Sequence, residues 1–551
     1  MRVVVIGATG NAGTAVLRAL KDTPEVTEII GVARRLPDTT VEPYSGCRWR
    51  TVDIAAASTA EDVATELGEI FRGVDAVIHL AWLIQPNDDR ELLRRVNVDG
   101  TERVAAAVAA AGVPHLVAAS SVGVYSPDEA RGTGGTPPLR DEDWPAGGIA
   151  PSHYSIDKAD QERVLDRLVA EHPEITVTRL RPALTFQADA ASAIQRYFLG
   201  TQLPVQALRA GKLPVMPVPK GLVVQAVHSD DVGRAYAAAV VKQAPGAFNI
   251  CADDLLGPKE LAEVVDHGRV IELPPAVVRA GLVAAHKSGM VPADEGWLDM
   301  GMQVPMMDNS RAKRELDWQP RHTAAEALSE LLEGLIEGRG RATQVLRPRD
   351  PQDAPVPGTG EPAGRGADTG GRRSPDDGPE DLPEEFTKDL LNLYLSDHLT
   401  GATAGANRIA RMANDFIDTP VYAELSTVAA EVRTEQAFLK QLIHDLGMKQ
   451  MPYRQAVAWA GERVGRLKGN GRALSRSPMT MLLETELMRG AVQGKLGGWQ
   501  TLREHAEDLN LDPEVFDGLI EASRRQIAAF DEIHAYARIR AFRDDRHIFW
   551  D

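Results

Sequence analysis

Short apolar runs alternate with longer amphipathic stretches over residues 1 to about 250. Continuous apolar runs predict strands buried on both faces, and apolar positions three and four residues apart predict helices. The predicted strands are Val3–Ile6, Ile29–Ala33, Ala76–Leu80, Leu116–Ala119 and Val177–Leu180, and the helices between them include Ala12–Leu20, Leu92–Ala111 and Tyr154–Val169. Right-handed crossovers then place helices on both faces of the sheet. The pattern predicts an α/β fold with a doubly wound parallel sheet.

Residues 183–338 are less regular and contain several prolines. This composition predicts a small substrate-binding lobe on the carboxyl side of the sheet. Val223–His228 and Ala247–Ile250 are expected to return to the core as strands. We therefore assign residues 1–338 to a first domain.

A change of composition follows, since residues 339–383 are dense in Pro, Gly, Asp and Arg and poor in large apolar side chains. Such a segment cannot bury enough surface to offset its ordering entropy, so we expect a disordered linker. Residues 384–551 return to helical spacing, with Met479–Ala506 and Pro513–Arg543 as the longest predicted helices. Strand signals are almost absent there, which predicts a separate all-α helical bundle.

Composition narrows the classes of function. The hydrophobic fraction is 43%, the charged fraction is 25% and the formal net charge is −18. This charge argues against nucleic-acid or anionic-membrane partners. No apolar run approaches the roughly 20 residues that span a bilayer. Cys47 and Cys251 stand far apart, which fits a reducing compartment, so we expect a cytoplasmic protein.

The first predicted strand runs into the glycine-rich turn "GATGNAG", which opens a helix. Gly7 permits a tight turn, Gly10 lets the backbone approach a pyrophosphate, and Gly13 lets the helix pack on the strand. The helix N-terminus supplies free N–H groups for the phosphates. The alternative is a purely structural turn. The context favours a Rossmann-type dinucleotide site formed by Thr9, Asn11 and Ala12 together with the three glycines.

The second strand ends before Arg34 and Arg35, where sites that prefer NAD usually carry an acidic residue. A guanidinium suits the 2′-phosphate of NADP, so NADP is favoured over NAD, although both arginines could simply be solvated. Asp53, after the third strand, is placed to accept a hydrogen bond from an adenine amino group. A surface aspartate is the alternative interpretation.

A catalytic set is predicted from Tyr154 and Lys158, which lie four residues apart on one helix face. A phenol can exchange a proton with an alcohol or ketone if its pKa, ordinarily near 10, is lowered by a nearby ammonium. Ser121 follows a buried strand, and its hydroxyl could orient the substrate oxygen. The competing interpretations are a helix surface and an ordinary turn at a strand end.

These residues resemble an extended short-chain dehydrogenase/reductase of the NAD-dependent epimerase/dehydratase family. The resemblance covers most of the first 340 residues. The matching pieces are the glycine turn, Asp53 with Ile54, "HLAW" at His79–Trp82, "NVDGT" at Asn97–Thr101, "SSVGVY", Tyr154 with Lys158, "LRP" at Leu180–Pro182, "VHSDDV" at Val227–Val232 and "FNI" at Phe248–Ile250.

The resemblance implies roles for further residues. Tyr154 would be the acid/base, Lys158 its activator and Ser121, rather than Ser120, the substrate-orienting hydroxyl. Asn97 would support a helix or proton relay near the site. The cofactor would be lined by Ile54, Leu80, Ala81 and Pro182. Trp82 departs from the family's usual small residue, and we hypothesise that Trp82, Gln85 and Tyr125 line the substrate pocket.

The expected function is an NAD(P)-dependent enzyme that acts on a small-molecule alcohol or ketone. A sugar nucleotide is one substrate class that the resemblance allows. Epimerase or dehydratase chemistry and reductase chemistry both remain open. The alternative is a dinucleotide-sensing regulator whose helical tail engages a partner. Sensors in this family commonly lose the tyrosine or the lysine, and both are present here.

The helical tail vaguely resembles ferritin-like proteins, whose bundles hold metal through carboxylates and Glu-x-x-His pairs. Glu431 and Glu435 share a helix face, Asp397 directly precedes His398, and Asp531 lies three residues before His534. Glu484 is a further candidate ligand. No true Glu-x-x-His pair occurs, so we expect no metal site. Self-association or partner binding through the aromatic residues of "WQTL" and "HIFWD" is the favoured role.

Overall fold

The structure is a computed structural model. It describes residues 1–56, 60–84, 90–131, 137–200, 216–266, 269–287, 291–341, 343, 345–349, 387–416, 419, 421–448 and 478–542. The chain divides into two compact units, and the first runs from Met1 to Asp350. The second contains the helices that follow residue 387. Each unit is described by itself.

A seven-stranded parallel sheet organises the first unit. The strands of the described residues are β1 (Arg2–Ile6), β2 (Glu28–Ala33), β3 (Arg48–Thr51), β4 (Ala76–His79), β5 (His115–Ala119), β6 (Leu139–Arg140), β7 (Thr176–Pro182), β8 (Leu184–Phe186), β9 (Met216–Pro219), β10 (Ala226–His228), β11 (Gly246–Ile250), β12 (Val270–Leu273) and β13 (Met306–Met307). The main sheet has the order β11-β7-β5-β4-β1-β2-β3. The doubly wound parallel sheet predicted from the sequence is confirmed.

Helices cover both faces of this sheet. The described helices of the first unit are α1 (Asn11–Lys21), α2 (Ala60–Phe71), α3 (Arg90–Arg94), α4 (Gly100–Ala111), α5 (His153–Glu171), α6 (Ala191–Ile194), α7 (Ser229–Lys242), α8 (Pro258–Asp266), α9 (Pro275–Lys287), α10 (Glu295–Gln303), α11 (Ser310–Glu315) and α12 (Ala324–Glu337). Single turns of 3₁₀-helix lie at Tyr44–Gly46, Val122–Val124 and Ala188–Ala190, and π-helical segments lie at Arg95–Asp99 and Gln195–Leu199.

The continuous apolar runs of the strands follow from this layering. In β1, Val3 and Val5 belong to one core with residues of α1 and α7. Val4 and Ile6, on the opposite face, belong to a second core with residues of α2, α4 and α5. Because successive side chains of a strand alternate between faces, a strand covered on both sides must be apolar throughout.

Smaller two-stranded sheets form the lobe at the carboxyl side. β8 pairs with β10, β9 with β12, and β6 with β13, all in parallel. Leu328, Leu331 and Leu335 of α12 pack with Ala226 of β10 in a core of their own. Ala247–Ile250 lies in β11 at the edge of the main sheet, and Val223–His228 contributes the short strand β10.

The expected start of the linker at residue 339 needs correction. Leu346 has no exposed surface and packs against Ala190 and Ala193 of the lobe. Arg349 donates to the Leu335 carbonyl of α12 over 2.8 Å. The described residues between 339 and 349 therefore belong to the first unit. Residues 350–386 lie outside the described residues.

The described residues of the second unit contain four long helices, namely α13 (Lys388–Asp415), α14 (Tyr422–Asp445), α15 (Pro478–Glu504) and α16 (Pro513–Arg540). α13 packs against α14 and α15, and α16 packs against the same two helices. One apolar core forms around Ile409 and Phe530, and a second forms around Leu395, Leu439 and Phe516. The predicted helical bundle is confirmed. No described helix is long and apolar enough to cross a membrane.

The bundle's candidate metal ligands are occupied by other partners. Glu435 accepts hydrogen bonds from Lys495 and Gln526, and Gln526 also donates to Glu431. Asp531 pairs with Arg489. Within the described parts of the chain, no three His, Cys, Asp or Glu side chains are grouped to hold a metal ion.

The prediction of exposed aromatic anchors in the tail needs correction. Trp499 of "WQTL" is only 3% exposed, because its indole packs with Phe438 and Phe516. The "HIFWD" segment lies outside the described residues. Trp499 therefore belongs to the bundle's interior and does not form a docking surface.

Acid sensitivity is predicted from His79 at the end of β4. Burial, together with the nearby Lys158 charge, lowers its pKa from 6.5 to about 3. Because the folded-state pKa is the lower one, the stability that neutral His79 contributes is complete above pH 6.5 and declines as pH falls towards 3. At pH 5 this amounts to about 2 kcal/mol of unfolding free energy.

Between pH 7 and pH 5 the wild type should lose about 2 kcal/mol of unfolding free energy through protonation of His79. We expect His79→Gln not to show this part of the loss. Urea denaturation at both pH values measures it. His172→Gln, at the surface end of α5, controls for loss of an imidazole. An unchanged pH dependence in His79→Gln would contradict the assignment.

Candidate active site

The glycine turn between β1 and α1 is packed more closely than any side chain would allow. Gly7 has φ +83°, and an added Cβ there would lie 2.6 Å from the Ala81 nitrogen. At Gly13 an added Cβ would lie 2.3 Å from the Gly7 carbonyl oxygen. At Gly10 the nearest atom would be the Gly7 oxygen at 3.6 Å, an ordinary contact. Gly7 and Gly13 therefore build the turn, and Gly10 leaves its surface open.

The N-terminus of α1 is suited to an anion. Gly10 is the N-cap, no side chain caps the first turn, and no acidic residue lies in that turn. The backbone N–H groups of Asn11 and Ala12 belong to the uncapped end, where they and the helix dipole favour negative charge. The carbonyl of Thr9 accepts a hydrogen bond from Thr343 over 3.1 Å.

The side chain of Asn11 is fastened to the lobe. Its Nδ2 donates to the Thr185 carbonyl over 3.1 Å, and its Oδ1 accepts from Gln187 and Ser229 over 2.6 and 2.8 Å. Asn11 therefore joins the start of α1 to the lobe through its side chain. Its backbone N–H is the group that remains for a phosphate.

Other residues predicted to bind a dinucleotide follow the carboxyl ends of their strands. Arg34 is exposed and Arg35 is half-buried directly after β2. Asp53, after β3, accepts a hydrogen bond from the Ala55 N–H over 3.0 Å. Ile54 is buried. Pro182 ends β7 beside β11.

A loop after β4 links the glycine turn to the catalytic helix. The close approach of Gly7 to Leu80 and Ala81 places this loop directly over the turn. Asn97, buried in the π-helical segment, binds the Leu83 backbone through both ends of its amide, over 2.7 and 3.1 Å. Asn97 is thus a positioning residue for the loop that carries Trp82.

The predicted acid/base Tyr154 lies at the start of α5, near the Ser121 hydroxyl. Burial raises the pKa of its phenol to about 12, and the Ser121 hydroxyl opposes this rise. An added Cβ at Gly123 would lie 2.9 Å from Tyr154 Cε1, so the glycine makes room for the ring. Ser120 instead donates to Glu162 over 2.5 Å. The two serines therefore serve different partners.

Lys158 lies one helical turn after Tyr154 and is almost completely buried. Its Nζ donates to the Ala119 carbonyl over 2.7 Å and to Gln161 over 3.1 Å. Burial lowers the pKa of Lys158 well below its ordinary value, and the Glu162 and Asp157 carboxylates oppose this effect. The amino group is thus anchored to the end of β5, beneath the crevice at the sheet's carboxyl edge.

An aromatic cluster covers this set. The Trp82 ring centre lies 3.4 Å from Lys158 Nζ and 5.8 Å from the Tyr154 ring centre. Trp297 of α10 lies 4.9 Å from the Tyr154 ring centre, and Phe198 packs edge-on against Trp297 at 4.8 Å. No sequence pattern indicates Trp297, because its approach depends on how the lobe folds back over the sheet.

A small cavity opens beside the cluster. It is lined by Trp82, Asn97, Tyr154, Asp157, Asp294 and Trp297, among others. Trp82, which we hypothesised to line the substrate pocket, thus lines a cavity. Gln85 lies outside the described residues.

The assignment of Tyr125 to the substrate pocket needs correction. Tyr125 has no exposed surface, and its hydroxyl donates to Asn249 Oδ1 over 2.6 Å. It also accepts from Arg181 over 3.1 Å. A buried phenol needs partners for its hydroxyl, and these two residues supply them. Tyr125 therefore joins β7 and β11 to the turn after β5, away from the cavity.

Comparison with known proteins gives a family match for the first unit. Residues 3–251 match the model described as the NAD dependent epimerase/dehydratase family. No curated protein matches the chain in sequence.

Several solved structures are similar to the first unit. A double mutant of DesIV, a dTDP-glucose 4,6-dehydratase from Streptomyces venezuelae, has 20% identity and a TM-score of 0.45, covering 61% of this chain and 97% of that chain. UDP-glucose-4-epimerase from Stenotrophomonas maltophila has 19% identity and a TM-score of 0.46, covering 61% and 98%. UDP-glucuronic acid 4-epimerase from Bacillus cereus has 15% identity and a TM-score of 0.44, covering 61% and 99%.

The family match agrees with the glycine turn, the seven-stranded parallel sheet and the Tyr154–Lys158 helix described above. Residues 3–251 are therefore similar to the NAD-dependent epimerase/dehydratase family.

Proposed function

We propose that the first unit is an enzyme that binds a nicotinamide dinucleotide and oxidises or reduces an alcohol or ketone carbon of a small-molecule substrate. One observation carries this proposal. The loop that crosses the glycine turn also places Trp82 against Lys158 and Tyr154, so the turn and the catalytic set border one crevice. Ligands of doubly wound sheets bind in this crevice, at the carboxyl ends of the strands.

The residues at the glycine turn fit the phosphates of a dinucleotide. Gly10 has open space where any larger residue would place a side chain, and the uncapped start of α1 favours an anion. Arg34 and Arg35 follow the second strand, where a 2′-phosphate can be bound, and they support a preference for NADP over NAD. Asp53 would accept a hydrogen bond from the adenine amino group, and Pro182 would lie near the nicotinamide.

Tyr154 would move the proton that accompanies hydride transfer, and the bound nicotinamide would supply or accept the hydride itself. Its phenol lies near the Ser121 hydroxyl, and the same serine would hold the substrate oxygen. A phenol whose pKa is raised to about 12 by burial is a proton donor at neutral pH. To act as a base it needs added positive charge, which Lys158 provides when protonated.

Trp82 would take part in cofactor binding by moving. Lys158 Nζ is already bound to Ala119 and Gln161, and its remaining side faces the Trp82 ring at 3.4 Å. A ribose hydroxyl that binds this amino group must therefore displace the indole. The displaced ring would then border the substrate.

We also propose a cellular compartment, a substrate class and a role for the helical tail. Cys47 and Cys251 are both free thiols, which supports a reducing, cytoplasmic compartment. We propose sugar nucleotides as the first substrate class to test, and a role for the helical tail in self-association or partner binding.

The proton-transfer role predicts the behaviour of Tyr154→Phe. The variant keeps the ring that packs on Gly123 and loses the phenol, so we expect it to bind NADPH or NADH and lose at least about 100-fold in turnover. The measurement is conversion of a panel of UDP- and dTDP-sugars, and of simple ketones with NADPH, by mass spectrometry and absorbance at 340 nm. Tyr394→Phe, in the second unit, is the control for loss of a phenol.

Full activity of Tyr154→Phe would contradict the proposed mechanism. Dinucleotide binding by the wild type without turnover of any compound would favour the alternative function, a dinucleotide sensor.

The glycine turn gives a matched pair of variants. Gly10→Ala adds a Cβ with only an ordinary contact, so the fold should persist while dinucleotide affinity falls at least about tenfold. Gly13→Ala places a Cβ 2.3 Å from the Gly7 oxygen and should lower the melting temperature. Thermal unfolding and quenching of protein fluorescence by NADPH separate the two effects. Wild-type affinity in Gly10→Ala would show that phosphates do not bind at this turn.

The preference for NADP depends on the arginines after β2. Arg34→Ala combined with Arg35→Ala should weaken NADPH binding about tenfold to a hundredfold, because charge-assisted contacts to the 2′-phosphate are lost. NADH binding should change little. Arg72→Ala, an exposed arginine elsewhere in the first unit, is the control. Tighter binding of NADH than of NADPH by the wild type would contradict the preference.

A further inference from the structure

The helical bundle contains a cavity that the proposed function does not use. It lies among α13, α14 and α15 and has a volume of about 240 Å³. An apolar cavity of about 150 Å³ can bind benzene, so this space can hold a small organic molecule. Gly401 of α13 and Gly494 of α15 are exposed and line it, so they lie at its mouth. At neither position would an added Cβ meet an atom within 4 Å.

The cavity's interior is largely apolar. Val432 and Leu439 of α14 and Met488, Val492 and Leu502 of α15 supply most of its walls. Glycines spaced four residues apart line the cavity on two helices. Gly401, Gly405 and Gly494 leave space that side chains would otherwise fill, whereas Gly498 makes room for the His398 ring. Each glycine inside a helix costs about 1 kcal/mol relative to alanine, so the bundle forgoes stability to keep this space open.

A residue that lines the same space carries a buried donor without a partner among the described residues. Trp499 lines the cavity and is only 3% exposed, and its Nε1–H finds no acceptor among the described residues. Buried indole N–H groups normally have a partner, and leaving one unpaired costs free energy. His398, another lining residue, has an Nε2 that is likewise unsatisfied within the described chain. The indole N–H calls for a ligand with a hydrogen-bond acceptor, whereas the His398 nitrogen donates or accepts according to its tautomer.

The charges nearby select against an anionic ligand. Lys495 of the cavity wall is bound to Glu435 and Gln526, so its charge is already neutralised. Glu431 contacts the same glutamine, and Asp397 is a further carboxylate of the lining. Lys495 is the one Lys or Arg among the described residues of the lining, and it is already paired with Glu435, so a carboxylate or phosphate would find no available cation there and neutral acceptors are favoured.

We propose that this cavity binds a small, neutral, mainly apolar molecule through one oxygen acceptor, such as a ketone, ester or alcohol, with Trp499 as the donor. The site is independent of the first unit's proposed chemistry. Its apolar walls supply most of the affinity, and the indole N–H orients the acceptor.

The test uses the full-length protein and Nile red, a neutral dye with a carbonyl acceptor whose fluorescence rises in apolar surroundings. We expect saturable dye binding and displacement by 2-octanone. Octanoate, of equal chain length but charged, should compete at least about tenfold less well. Stronger competition by octanoate than by 2-octanone would overturn the neutral class.

Two glycine variants of α15 locate the binding. Gly494→Leu fills the cavity mouth and should weaken dye and 2-octanone binding at least about tenfold. Gly490→Leu, one turn earlier on the same helix, replaces another exposed glycine that meets no atom within 4 Å and lies outside the cavity, so its affinity should match the wild type. Equal binding by the wild type and Gly494→Leu would overturn the site. Circular dichroism checks the helices, and Gly405→Leu provides a second filling variant.

The role of the indole N–H is tested by Trp499→Phe, which keeps an aromatic ring in the core. Loss of one neutral hydrogen bond should weaken 2-octanone about fivefold and leave octane binding unchanged. Equal effects on the ketone and the alkane, or no effect on either, would show that Trp499 does not donate to the ligand.

Discussion

The first unit depends on a close backbone approach at Gly7, whose absent side chain lets the chain after β4 pass directly over the turn after β1. An added Cβ would lie within 3 Å of three backbone atoms of Leu80 and Ala81. This approach sets the height of the loop above the sheet edge, and the loop in turn carries Trp82. The position of the aromatic cover over Tyr154 and Lys158 thus depends on a residue that touches neither of them.

A second constraint is the burial of ionisable groups beneath the crevice. Lys158 is tied to the Ala119 carbonyl at the end of β5, and Glu162, one turn later on α5, is held by Arg181 and Ser120. Burial alone would raise the pKa of Glu162, but these partners lower it, so a charged carboxylate persists below Lys158. A buried amino group keeps its proton more easily beside such a charge. The network that fixes α5 thus opposes part of the fall in the Lys158 pKa that burial causes.

The sequence predicted the parts of this arrangement that depend on local pattern. The strands and the principal helices begin and end within a few residues of their predicted bounds, because strands buried on both faces are continuously apolar. The glycine turn was predicted from the spacing of its glycines, and the catalytic pair from the four-residue spacing of Tyr154 and Lys158. Contacts between distant segments could not be predicted. The sequence predicted that Tyr125 lines the pocket, but Arg181 and Asn249 bind its hydroxyl. Trp297 contacts Tyr154 because the lobe folds back over the sheet.

Composition was also an imperfect guide at the end of the first unit. Leu346 is one apolar residue in a polar, proline-containing stretch, yet it is fully buried and brings its neighbours onto the lobe. Thr343 of this segment donates to Thr9 at the glycine turn. A few well-placed contacts can order a short segment whose average composition resembles a linker.

The contact between Trp82 and Lys158 has an energetic consequence for the proposed cofactor site. A cation over an indole face in a desolvated setting is worth about 2 kcal/mol when the amino group is protonated. A ribose that replaces the ring gains its own hydrogen bond to Lys158 and loses this contact, so only the difference adds to affinity. Binding strength must then come mainly from the glycine turn and the start of α1, which need no rearrangement. In the proposed function the two tasks are therefore separate, because the turn would hold the dinucleotide and displacement of Trp82 would open the amino group for catalysis.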